Sequence, residues 1–146
     1  MGDMLHGGGN RWLGALFGMT VRYPWLTEGV HCDPRPVWKV WDDFGVAQSV
    51  MTGFWDENCP VKTTDKMVKV TVFQNKENYL LALGNWNDQE AAFTLQIDWN
   101  ALGIDPARYQ LYAPYVKDFQ KEATFEVNQQ ITVKPKEGLL VYLRKK

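Results

Sequence analysis

The sequence predicts a mainly β protein, an antiparallel β-sandwich of about six to seven strands preceded by a loop-and-helix segment. Three observations carry this. From Lys66 onward apolar residues recur at every second position, the spacing of half-buried strands. Amide, carboxylate, proline and glycine residues interrupt those runs at short intervals, where tight turns are needed. The first 55 residues obey neither rule, and three of the seven tryptophans fall between residues 16 and 45. Two compositional regions are therefore visible, with a boundary near Trp55 to Pro60.

Taken in order, the stretch "HGGGNRWLGALFGMTVRYPW" is apolar and broken by glycine, without the periodicity of a domain. In "DPRPVWKVWDDFG", Asp33 is a good N-cap, Pro34 fits the first helical position, Pro36 still falls in the first turn, and Gly45 fits the residue after the last turn. Val37, Trp41 and Phe44, flanked by Trp38 and Val40, form one apolar face at helical spacing. A helix of about ten residues is expected, and so much tryptophan needs a large surface to pack on. If Asp33 caps it, Asp33→Ala costs about 0.5–2 kcal/mol.

A short strand is expected from Val50 to Trp55. In "MVKVTVFQ", Val68, Val70 and Val72 share one face, and in "AAFTLQIDW" Phe93, Leu95, Ile97 and Trp99 alternate with Thr94, Gln96 and Asp98. "YLLALG" (79–84) and "LLVYL" (139–143) are apolar on both faces, as central strands of a packed sheet are. The segments Asn75 to Asn78, Asn85 to Asp88, Asn128 to Gln130 and Lys134 to Gly138 supply the turns. "WNALGIDPARY" reads as a longer crossover with about one helical turn.

A chain of 146 residues with 45% hydrophobic and 23% charged content is long and apolar enough for one real core, which excludes disorder. The net charge of −1 offers no field for a polyanion, so nucleic acid is not an expected partner. No apolar run approaches the ~18 residues of a membrane span, so no membrane partner is expected either.

Candidate chemistry is sparse. "HGGG" (6–9) matches an oxyanion-hole motif, but the single serine, Ser49, has no G-x-S-x-G elbow around it. His31 and Cys32 are adjacent, and neither C-x-x-C nor H-x₃-H occurs, so no metal site and no cofactor are expected. Cys32 and Cys59 could pair in an oxidising compartment; Cys59, before Pro60, reads as filling a small buried space. The loop "VRYPWLTEGVHCD" holds the ingredients of sugar contact in Arg22, Trp25 and Asp33: a guanidinium for hydroxyls, a ring for stacking and a carboxylate. It reads equally as an ordered loop with an N-cap and a buried tryptophan. Trp86, in "GNWND", is either a sugar-stacking platform or a plug at one end of the sandwich. With Tyr112 and Tyr115 it makes up the aromatic set of a carbohydrate-binding alternative.

"LFGMTVRYPW", "CDPRPVWKVWDDFGV" and "YLLALGNWNDQEAAFTLQIDWNALGID", with a closing "GLLVYL", resemble the C-terminal part of a bacterial group of glycoside-hydrolase-like proteins related to family 123. The resemblance covers nearly the whole chain. It implies a large parent with a leading β-sandwich, a TIM-type barrel and a small trailing sandwich. Residues 1 to about 45 then look like the last barrel strand, its loop and the final barrel helix, which places Arg22, Trp25 and Asp33 in a βα loop, the face where barrels build their sites. No catalytic residue carries over, because the acidic pair of such enzymes belongs to earlier barrel strands.

The resemblance implies a structural module whose partner is the catalytic barrel of the parent chain, inactive alone, with carbohydrate binding as the alternative. The compartment follows the parent, periplasmic or secreted if it carries a signal peptide. Without the barrel, the tryptophan face of the helix is expected either to drive a homodimer through residues 1–45 or to fold back onto the sandwich.

Overall fold

The computed structural model describes residues 35–116, 120–135 and 137–146. Among these residues helix α1 (Arg35–Phe44) comes first. The residue after it, Gly45, is left-handed at φ 81° and its N–H is shared between Trp41 O (3.0 Å) and Asp42 O (3.1 Å), which closes the helix as its sequence foretold. The proposed N-cap, Asp33, lies outside the described residues. Ten strands follow: β1 (Val50–Thr52), β2 (Val61–Thr63), β3 (Val68–Asn75), β4 (Asn78–Asn85), β5 (Ala91–Phe93), β6 (Leu95–Ile97), β7 (Tyr109–Ala113), β8 (Ala123–Phe125), β9 (Ile131–Val133) and β10 (Gly138–Lys145).

Six of them form one antiparallel sheet in the order β1-β3-β4-β10-β7-β8, and the other four pair as two ribbons, β2 with β6 and β5 with β9. The doubly apolar stretches 79–84 and 139–143 are the adjacent central strands β4 and β10, paired from Gly138↔Gly84 to Leu143↔Tyr79. One side of this sheet, with Val68, Val70, Val72, Tyr79, Leu81, Leu83, Leu111 and Val141, shares a core with Val61, Phe93, Leu95, Ile131 and Val133 of the ribbons. Its other side presents Phe73, Leu80, Ala82 and Leu140 to Val40, Trp41 and Phe44 of α1. Both faces of the central strands are thus buried, which is why they lack polar alternation.

The strand count exceeds the expected six or seven in part because β2 (Val61–Thr63) precedes the alternating region and in part because the periodicity of "AAFTLQIDW" hides a break. At Thr94 the chain leaves β9 for β2: Thr94 N–H donates to Thr64 Oγ1 (3.0 Å) and Thr64 N–H donates to Thr94 O (3.1 Å). Phe93 and Leu95 stay buried on either side, so the pattern reads as one strand although two pairings use it. Trp99 opens the short helix α2 (Trp99–Leu102), with Asp98 Oδ1 accepting from Ala101 N–H at 3.0 Å and Gly103 left-handed at its end. A second local coil, the 3₁₀ turn Pro106–Arg108, completes the crossover.

Two side-chain amides finish what the backbone leaves open. Asn85, fully buried, donates from Nδ2 to the carbonyls of Gln89 (3.1 Å), Val133 (3.1 Å) and Lys134 (3.2 Å), and its Oδ1 accepts from Asn87 N–H (2.9 Å). The end of β4 is thereby tied to β9 in the other layer. Where Pro114 follows β7, Gln120 pairs with β10 in its place: Oε1 accepts from Leu140 N–H (2.7 Å) and Nε2 donates to Leu140 O (2.8 Å).

Candidate functional site

Arg22, Trp25 and Asp33 all lie outside the described residues, as do His6, His31, Cys32 and the "HGGG" stretch. Of the aromatic set, Trp86 is half-buried and packs against the α1 side of the sheet, its backbone N–H donating to Met67 O at 2.9 Å. Tyr112 stacks on its cross-strand neighbour Tyr142, with centroids 6.5 Å apart and planes 14° apart. The Arg144 guanidinium lies 3.9 Å from the Tyr112 ring centroid, a cation–π contact that covers part of that ring. Tyr115, past Pro114 in the β7–β8 connection, is exposed. Trp86 follows β4, whereas Tyr112 and Tyr115 belong to β7 and its exit.

Beside the Tyr112–Tyr142 pair, an open depression of about 240 Å³ is lined by Asp43, Phe44, Asn78, Tyr142 and Arg144 among others. Burial pushes the Tyr142 phenol above its ordinary pKa and the Asp43 charge adds to the shift, while Arg144 opposes it. Its hydroxyl donates to Val40 O at 3.5 Å. Asp43 itself is paired with Lys39 at 2.7 Å on the exposed side of α1. At the neighbouring β3–β4 turn, the Lys145 ammonium donates to Glu77 at 2.8 Å; that hydrogen bond lowers the carboxyl pKa and raises that of the lysine. These are surface charges satisfied by each other.

Among the described residues, acid–base and nucleophilic chemistry finds little to work with. Ser49 donates its hydroxyl to Val46 O at 2.7 Å, closing a 3₁₀ turn. Cys59 is a free, buried thiol within 3.4 Å of Val61 O, and burial raises its pKa, the reverse of what an activated thiolate needs. Among the described residues no group of three His, Cys, Asp or Glu side chains could hold a metal ion, and no helix is long and apolar enough to cross a membrane.

Sequence reasoning passed over Trp55, which it placed at the end of a strand. That strand stops at Thr52, and Trp55 sits in the β1–β2 loop with 59% of its surface exposed. The signal was present in "TGFWDENCP": a glycine two residues before a tryptophan, then three polar residues and a Cys-Pro anchor.

The described residues thus form a mainly β fold of antiparallel sheets with α1 packed on one face. Residues 33–144 match the family model described as "Glycoside hydrolase 123, C-terminal domain", and the chain belongs to that family. No curated protein matches it.

Proposed function

We propose that this chain is the supporting C-terminal β-sandwich module of a glycoside hydrolase, packed on the catalytic barrel of its parent and inactive alone. In this reading residues 1–48 are the end of the barrel and residues 49–146 the trailing sandwich. The observation that carries it is the clamp on α1: Val40, Trp41 and Phe44 are buried against Phe73, Leu80, Ala82 and Leu140 of the sheet. Membership of a family defined as a C-terminal domain gives that clamp a purpose. A helix leading in from the catalytic part, held by a sheet that is apolar on both sides, transmits the stability of the sandwich to what precedes it.

The test joins the chain to its catalytic portion and weakens the clamp by Phe73→Ala, a truncation that costs about 3–5 kcal/mol in a packed core. The expected result is a lower temperature of heat inactivation with KM unchanged. An unchanged inactivation temperature overturns the supporting role, and a tenfold rise in KM makes the module part of the substrate site. The isolated chain should turn over none of a panel of aryl glycosides; turnover lost on Asp33→Ala would make it an enzyme in its own right.

A further inference from the structure

The β1–β2 loop holds its tryptophan in an unusual way. The Trp55 indole lies directly across Gly53, so that a Cβ built on that glycine would meet three indole carbons at 2.3 to 2.5 Å. Phe54 meets the indole edge-on, with centroids 5.2 Å apart and planes at 79°. Phe54 is itself anchored, packed against the α1-side core with its N–H donating to Thr71 Oγ1 at 3.3 Å. Two successive backbone turns, Asp56 N–H to Gly53 O (3.0 Å) and Cys59 N–H to Asp56 O (3.1 Å), fix the rest of the loop, and the buried Cys59 pins its end. The ring is therefore positioned by backbone and by a bare glycine, yet most of it faces water.

We infer that this loop binds a neutral oligosaccharide, with the Trp55 indole as stacking platform and Asp56, Glu57 and Asn58 as its hydrogen-bonding rim. A pyranose presents a flat C–H face and a ring of hydroxyl donors. An indole seated on glycine suits the first, and exposed carboxylates and an amide suit the second. Two carboxylates repel an anionic ligand, which leaves a neutral one. The inference goes beyond the supporting role and uses different residues, so either can fail alone.

The test is a titration of the isolated chain with neutral β-linked trisaccharides of glucose, galactose and N-acetylglucosamine, followed by the indole N–H signals in NMR. The Trp55 signal, assigned by its loss in Trp55→Phe, should shift saturably with at least one of them. Trp55→Ala should weaken binding at least tenfold and Trp55→Phe less. Gly53→Ala should weaken it too, because its methyl displaces an otherwise intact indole. Should Trp55→Ala fail to fold, Glu57→Ala, an exposed loop change, should still weaken binding several-fold. A sulfated trisaccharide binding as tightly as its neutral parent overturns the carboxylate rim. Silence of the Trp55 signal towards every sugar overturns the site. A shift on adding the separately expressed catalytic portion, with none for sugars, overturns it in favour of a protein contact.

Discussion

At Asn85 one carboxamide satisfies three carbonyls from two other segments and receives an N–H in return. Deleting it removes the side-chain donor to the buried Val133 carbonyl, and an unsatisfied buried group costs about 1–3 kcal/mol. Asn85→Ala should therefore lower the urea midpoint with an unchanged slope, whereas Asn87→Ala, half-buried at the turn, should do much less. Cys59 gives a second check. Its pKa is raised first by burial, so its thiol should resist alkylation at pH 8 in the folded chain and react at once in denaturant. Lys76 holds φ 57° between β3 and β4, a region costing a residue with a Cβ about 1–2 kcal/mol. Lys76→Gly should raise the unfolding midpoint, less the extra backbone entropy of glycine.

Elements divide by how local their determinants are. Helix α1 was legible because its signals sit within its own residues: the Val40, Trp41 and Phe44 face and the glycine that ends it. The central strands were legible because double-sided burial leaves a mark in composition. The break at Thr94 was not, since a strand that changes partners between two ribbons keeps its alternation, and partner identity is a property of distant residues. Trp55 escaped for a related reason. The expected strand ran on to it, whereas the loop is set by turns reaching from Gly53 to Cys59. The junction after α1 shows how such non-local contacts add to a local signal. Asn75 Nδ2, from the β3–β4 turn, donates to Phe44 O at 2.9 Å, and a Cβ on Gly45 would stand 2.8 Å from that nitrogen. Gly45→Ala thus combines left-handed strain with a clash at the amide that caps the helix. The expected loss is about 1–2 kcal/mol or more, and Asn75→Ala should recover part of it in a double-mutant cycle.

For the whole molecule the question is where the domain begins. The change in composition placed a boundary near Trp55 to Pro60, and the family resemblance one near residue 48, with a barrel remnant before it and the sandwich after it. The described structure shows α1 sharing a core with the outer face of the sheet, and the family match begins at residue 33, upstream of that helix. Removing α1 uncovers Phe73, Leu80, Ala82 and Leu140, all fully buried, and deletes the packing of Trp41 and Phe44. Truncating either ring alone costs about 3–5 kcal/mol, against a total stability of about 5–15 kcal/mol for a domain. The two proposals about the boundary then separate cleanly. A chain starting at residue 33 should unfold cooperatively with a midpoint close to that of the full chain. A chain starting at residue 49 should bind a hydrophobic dye, self-associate in light scattering, and melt far lower if it melts cooperatively at all. Equal midpoints for the two would leave the sandwich complete without α1.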